Sequence, residues 1–453
     1  MRIPRMTNKL RLFGLLCGLI MCTSAVAQKG AFNPYTQLGI GSPVYNPVAA
    51  MSAMGGGFNA LNGNNFINYQ NPASYSTYEY MQFQFGFDVQ SITATRNGAT
   101  RKADLASFNQ LAIGLPILKN RIGMAFGYTP YTNVGYNFTS NERIVANADT
   151  VDVGYTYEGN GGTDRFFIGF GGSPIKNWSI GFNTYFYLGN IDRTKTSYFP
   201  DDFQSTNIQS LSNIRIADFG FDFGTQYSIN FKDRTDSLVP KINRKDKYRL
   251  TFGATYVLGK TMSAKNTSVA RYFTGTLVDQ FYYQDTIAER QKVKIQFPSG
   301  FGAGVSFGQP DYWQLQADFN MTMWSQFRYA NQTAEPLYGN SYNITLGGEV
   351  KPLESSSKKS IFNKLTYRVG GRYGMSYLRP GGVPFQEVGG SLGIGIPILS
   401  NDAFRKKLAS SLNVSFEYGM SIPGNNTYTQ EQMFRFVFSF NLRNKWFDTF
   451  KFQ

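Results

Sequence analysis

Imidazole, thiolate and clustered carboxylates build most catalytic and metal sites, and this sequence supplies almost none of them. Its 453 residues contain no histidine. That removes His-ligated metals, His-held haem and every dyad or triad whose base is imidazole. The two cysteines, Cys17 and Cys22, both sit in an apolar run near the N-terminus. Asp201-Asp202 is a lone acidic pair and reads as a turn, not a cation site. Gly300-Phe301-Gly302-Ala303-Gly304 has alternating glycines, but a strand pattern surrounds it and no helix follows, so it is not a phosphate cradle. No catalytic residue, cofactor or metal is expected.

The N-terminus carries a different kind of signal. Arg2, Arg5, Lys9 and Arg11 precede the apolar run Leu12–Cys22, and Ala25-Val26-Ala27 places small residues at −3 and −1 before Gln28. This is the pattern of a secretory signal over 1–27, cleaved after Ala27. The run is too short to span a bilayer comfortably. Leu16 and Met21 precede the cysteines where a lipoprotein would need a small residue. Cleavage leaves 426 residues and no thiol, hence no disulfide or Cys nucleophile. Four cations leave with the signal, lowering the net charge from +15 to +11.

What must position any site is a long set of alternating segments. In Met81–Gln90 every odd residue is apolar, while Gln, Gly and Asp take the even places. The same period of two marks Val151–Glu158, Trp178–Leu188, Arg249–Tyr256, Trp313–Met321, Leu412–Tyr418 and Phe434–Arg443. From about residue 80 onward, roughly fourteen to sixteen such segments of about ten residues each fit transmembrane β-strands. Sandwich strands are shorter, and a soluble sandwich seldom puts four Phe on one strand face. The expected fold is all-β: a transmembrane antiparallel β-barrel of about 14 strands. Its apolar faces would meet lipid, its polar faces a wet or partly filled lumen, and closure would satisfy the backbone. This reconciles a mean hydropathy of −0.30 with a membrane protein.

Residues 28–78 break the alternation. Gly39-Ile40-Gly41-Ser42-Pro43, Ala53-Met54-Gly55-Gly56-Gly57-Phe58, Asn62-Gly63-Asn64-Asn65 and Asn71-Pro72-Ala73 are rich in Gly, Asn and Pro. An irregular backbone of this length fits a plug inside the lumen, with Phe58, Phe66, Ile67 and Tyr69 to bury. The expected division is 1–27 signal, 28–78 plug, 79–443 barrel and 444–453 aromatic tail.

Two stretches resemble the FadL family of outer-membrane fatty-acid transporters, with PorV-like barrels as a related subgroup. One is Gly55, Gly56 and Gly57 followed by Asn71, Pro72 and Ala73, similar to the family's hatch. The other is Pro298 before an alternating strand, then Trp313 and Asp318 in a W-x-L-x-x-D strand, then the pair Trp324-Ser325. The resemblance covers the N-terminal segment and about three strands; the remainder matches as barrel pattern. It implies a monomeric 14-stranded barrel in the Gram-negative outer membrane. Members take up long-chain fatty acids or other hydrophobic small molecules, hold them against the hatch and release them sideways beside a kinked third strand.

Pro130 follows the third alternating segment, Ile122–Tyr128. Pro cannot donate to a β ladder. Pro130 either breaks the pairing of a continuing strand, where a lateral opening would lie, or begins a loop. Similar hatch motifs occur in FadL-like barrels that serve as docking or accessory subunits in protein secretion or outer-membrane assembly, so that reading stays open beside uptake. A transporter needs an apolar pocket touching the hatch, and a docking barrel a plug with no path through it. The basic stretches Lys232–Arg249, Glu354–Lys359 and Arg405–Lys407 are either solvated loops or contacts for anionic lipid and lipopolysaccharide phosphates. Nucleic acid does not fit an exported membrane protein despite a pI near 9.5.

Overall fold

The fold comes from a computed structural model. It describes residues 33–44, 47–63, 65–146, 149–202, 204–232, 246–275, 281–310, 312–329, 337–352, 361–398 and 410–444. The signal over 1–27, most of the three basic stretches and the tail beyond 444 lie outside the described residues.

Eighteen strands join in one sheet. Chain order runs β1 (Ser42–Pro43), β2 (Met81–Arg96), β3 (Ala99–Leu118), β4 (Ile122–Ala146), β5 (Asp149–Ile175), β6 (Trp178–Tyr198) and β7 (Thr206–Lys232). It continues with β8 (Asp246–Val257), β9 (Lys260–Thr274), β10 (Tyr283–Phe297), β11 (Gly300–Gln309), β12 (Trp313–Thr322) and β13 (Arg328–Tyr329). The last five are β14 (Ser341–Val350), β15 (Thr366–Met375), β16 (Phe385–Ile398), β17 (Ser410–Pro423) and β18 (Gln430–Asn444). Every pairing is antiparallel, and β18 pairs with β2 to close the ring. The short β1 and β13 lie off the ring. β8 runs on into β9, and β10 into β11, each pair being one long strand bent at Leu258-Gly259 or Pro298-Ser299. The barrel therefore has fourteen strands, as the alternation predicts.

The connections β3–β4, β5–β6 and β11–β12 are short and share an end with the entry to β2 and the exit from β18. Turns as short join β2–β3 and β4–β5 at the opposite end, so it is the shared entry and exit of the barrel, with its even number of strands, that marks this end as periplasmic. At the opposite, extracellular end the wall is uneven. β4 to β7 run 25, 27, 21 and 27 residues, whereas β12, β14 and β15 have 10 each. With β9 and β10 the long strands form a tall extracellular wall. The ten-residue expectation holds for one side of the barrel and fails on the other.

Across the membrane the alternation falls as expected. On β6, Ile180, Phe182 and Leu188 are exposed outward, while Ser179 and Asn183 are buried inward. Tyr248, Phe307 and Trp313 form an aromatic girdle at the periplasmic rim. In the tall wall the polarity inverts. Ile191, Ile214 and Ile216 now point inward and are buried, and Asn190, Asp192, Asn213 and Arg215 point outward. Val151–Glu158 belongs to this region. Its apolar Val153, Tyr155 and Tyr157 face the concave side, so the expectation that this segment's apolar face meets lipid is corrected. The cause is the medium: above the bilayer water lies outside the wall, so burial is available only on the inside.

Candidate functional site

The irregular segment 47–78 lies in the barrel lumen, held by inward side chains of many strands. A short helix (Ala49–Ser52) presents Ser52, whose hydroxyl bonds Glu417 and accepts from Ser415 Oγ at 2.9 Å. Gly55 N–H donates to Ser391 Oγ at 3.1 Å, and Gln316 Nε2 donates to the Met54 carbonyl at 3.1 Å. At Gly57 a Cβ would stand 2.3 Å from Asp318 Oδ2, so only glycine allows the chain this close to the wall. Asp318 is buried and faces the backbone N–H groups of Phe58 and Asn59. Asn59 is the central tie: its amide donates to Asn320 Oδ1 at 2.9 Å and accepts from Thr255 Oγ1 at 2.8 Å.

Asn71, Pro72 and Ala73 are fully buried against β5, β6 and β7. Asn71 caps the 3₁₀ turn Pro72–Thr77 by accepting from Ala73 N–H at 3.1 Å, while its Nδ2 donates to the Asn59 carbonyl at 2.6 Å. The two halves of the expected motif, Gly55–Gly57 and Asn71–Ala73, are thus joined through Asn59.

Above this segment an aromatic cluster fills the lumen. Arg165 of β5 lies under three phenol rings, 4.7 Å from Tyr185, 5.1 Å from Tyr131 and 5.4 Å from Tyr69. Such contacts are worth about 2 kcal/mol or more when desolvated. Tyr185 in turn bonds Asp222. Phe297 and Phe327 continue the cluster, and Trp324 stacks 4.5 Å from Tyr377. Ile191, Ile295 and Phe327 are at most 2% exposed, so the space is occupied by the chain's own side chains.

One flank of the lumen is charged. Arg435 lies 3.1 Å from Asp88 and 3.8 Å from Glu417, and Arg372 is 3.4 Å from Glu417. Arg435, Arg372 and Asp88 line a cavity of about 270 Å³ together with Glu387, Glu431 and Ser42–Val44. A carboxylate and guanidinium lining suits water or ions better than a hydrocarbon.

Pro130 sits where the wall divides. β4 continues through it to Ala146, so it does not begin a loop. β3 pairs with β4 only below Tyr128, and the β4–β5 register shifts between Pro130 and Thr132. Beyond that point, among the described residues, the free side of β4 meets the N-terminal segment instead: Ser42 pairs with Asn133 and Pro43 with Thr132. Asn33 N–H adds a bond to the Gly135 carbonyl at 3.2 Å.

The other singled-out residues scatter. Pro298 sits at the β10–β11 bend, Trp313 in the rim girdle, Asp318 under Gly57 and Trp324 in the aromatic cluster. Ser325 bonds Asn340 Oδ1 through its N–H at 3.1 Å and its hydroxyl at 2.7 Å. Sequence reading missed Arg165 and Asn59. Arg165 had a signal: it is a lone cation at an inward position of β5, opposite Tyr187 on β6.

Solved structures share this fold at low identity. A Pseudomonas aeruginosa FadL homologue aligns with a TM-score of 0.56 at 12% identity, covering 88% of this chain and 99% of that one. The Ralstonia pickettii toluene transporter TbuX gives 0.52 at 14%, covering 88% and 98%. The CymD monoaromatic hydrocarbon channel gives 0.51 at 13%, also covering 88% and 98%. The fold is therefore that of a FadL-like outer-membrane barrel. None of the curated proteins matches the sequence. A family model described as BamG matches residues 6–453.

Proposed function

The chain belongs to the BamG family, and on that premise we propose that it is an accessory subunit of outer-membrane assembly, a docking barrel built on a transporter's fold. The observation that carries this reading is the filled lumen. The segment 47–78 acts as a fixed plug beneath the Arg165–tyrosine cluster, and among the described residues a cavity that touches it, about 110 Å³ beside Met54, Leu61 and Phe66, is small and lined by Arg249, Glu349 and Lys351 as well. The family's name is in keeping with an assembly role.

A second reading, uptake of hydrophobic small molecules such as monoaromatic hydrocarbons or long-chain fatty acids, is favoured by one feature, the parting of β3 and β4 at Pro130. In that reading ligand held against the plug leaves sideways through the gap. The N-terminal strand Ser42–Pro43 occupies the free side of β4, which supports the docking reading as the better one.

Depletion of the protein separates the two. The docking reading expects reduced levels of other outer-membrane β-barrels, and stoichiometric partner proteins when the tagged chain is purified in mild detergent. Unchanged barrel levels, a chain that purifies alone, and lost uptake of labelled toluene or long-chain fatty acid would overturn it in favour of transport.

A further inference from the structure

The outward face of the tall wall carries a row of cations that make no ion pair among the described residues. Arg215 of β7 is directly opposite Lys265 of β9, and Lys265 is directly opposite Lys292 of β10. All three are exposed. Lys294 stands two residues below Lys292 on the same face. Like charges directly across a strand pair are destabilising. None of the four is in an ion pair among the described residues, and the nearby Lys260 is already taken by Asp218 at 2.6 Å.

Beside the row is an outward notch of about 800 Å³, floored by the side-chain-free Gly161-Gly162 and lined by Asn160, Asn190, Asp192 and Arg215. Its polar groups are fixed in place. Asn213 donates to Asn190 Oδ1 at 2.8 Å and accepts from Arg215 Nε at 3.1 Å, which holds the guanidinium along β7 at the edge of the notch. The lower lip is mixed: Leu188 and Ala217 line it with Asp164, the direct partner of Leu188, and the exposed Phe219 follows two residues below Ala217.

Height decides what this surface meets. Arg215 is four residues above Phe219, the last outward ring of β7, or about 13 Å along a strand that rises about 3.3 Å per residue. Allowing for strand tilt, that is the headgroup layer of the outer leaflet. Lys232 and Arg249, the described ends of one basic stretch noted in the sequence, lie at the opposite, periplasmic end.

We propose that the notch and the Arg215–Lys265–Lys292 row bind the phosphorylated sugar headgroup of an outer-leaflet glycolipid. Phosphate oxygens neutralise the row, the amides with Asp164 and Asp192 meet sugar hydroxyls, and an acyl chain lies along the outer side of Leu188 and Phe219. A phosphate placed there relieves the cross-strand repulsion, so the lipid stabilises the wall as well as occupying it. This is independent of whether the barrel docks proteins or passes ligands.

The test is binding of phosphorylated lipid A to the full chain in detergent micelles, read by native mass spectrometry. Removing three cations with R215Q/K265Q/K292Q is expected to weaken binding about a hundredfold, at about fivefold per charge. Dephosphorylated lipid A should bind wild type no better than the variant binds lipid A. K119Q/R121Q/K176Q, at the periplasmic turns, should leave binding unchanged. Heat-modifiable migration reports folding, and the three single substitutions, each about fivefold weaker, replace the triple if it does not fold. The proposal is overturned by equal retention in the triple variant, by equal loss in the periplasmic control, by phosphatidylglycerol or inorganic phosphate competing as well as lipid A, or by loss of a co-purifying protein with lipid retained.

Discussion

The side-chain oxygen of Asn71 lies 2.0 Å from the point where a Cβ on Gly224 would stand. The wall has given up a side chain so that the N-terminal segment can seat its cap against β7. Gly224→Val is therefore incompatible with the seated segment. The expected result is a barrel that still shows heat-modifiable migration but is cleaved by protease within residues 33–80, where wild type resists.

Asn71→Ala removes the donor to the Asn59 carbonyl and the acceptor for Ala73 N–H at a fully buried position. Unmet buried polar groups cost about 1–3 kcal/mol each. The unfolding midpoint in urea should fall accordingly, with the barrel's circular dichroism unchanged before the transition.

Arg435 is 4% exposed between Asp88 and Glu417. Arg435→Met leaves the buried Asp88 without its cation and Glu417 with Arg372 alone, and breaking such a pair costs about 3–5 kcal/mol. Denaturant unfolding should show the loss. A change below about 1 kcal/mol would mean that water, not Arg435, compensates these charges.

The lumen should conduct only when emptied. In planar bilayers wild type is expected to be electrically silent, because Arg165, its tyrosines and the segment beneath fill the cross-section. Deleting residues 33–78 should give a stable open pore. Spontaneous wild-type conductance would show that the filling moves.

Ser42 and Asn133 are direct partners across the division of the wall. With no other thiol expected in the mature chain, Ser42→Cys with Asn133→Cys should form a disulfide, since paired strand positions fall within the required Cα separation. A docking barrel should work as well locked as reduced. Dithiothreitol-dependent uptake of toluene would show that this strand must leave for ligand to pass.

Much of this was legible in the residues. The period of two identified strands because facing alternates along any strand whatever its neighbours. Phe182, Phe252 and Phe436 were placed outward correctly for that reason. The absence of histidine turned the reading away from catalysis, and the Gly and Asn content of 28–78 marked a segment that must find hydrogen bonds other than a ladder.

Other features belong to the tertiary structure alone. Period two says that Tyr155 and Tyr157 share a face, but not which medium that face meets. Only strand length and the height of the lipid belt reversed it. Pro130 could be read as a loop or a break until the β3–β4 pairing was seen to end at Tyr128 while β4 ran on. Asn59 joins Gly57 to Asn71, and Arg215 meets Lys265 and Lys292, through partners far away in the chain. Alternation is a local property of a strand, set by covalent geometry. Register, closure and the filling of a lumen are sums over contacts distant in sequence, so they are decided only when the sheet closes.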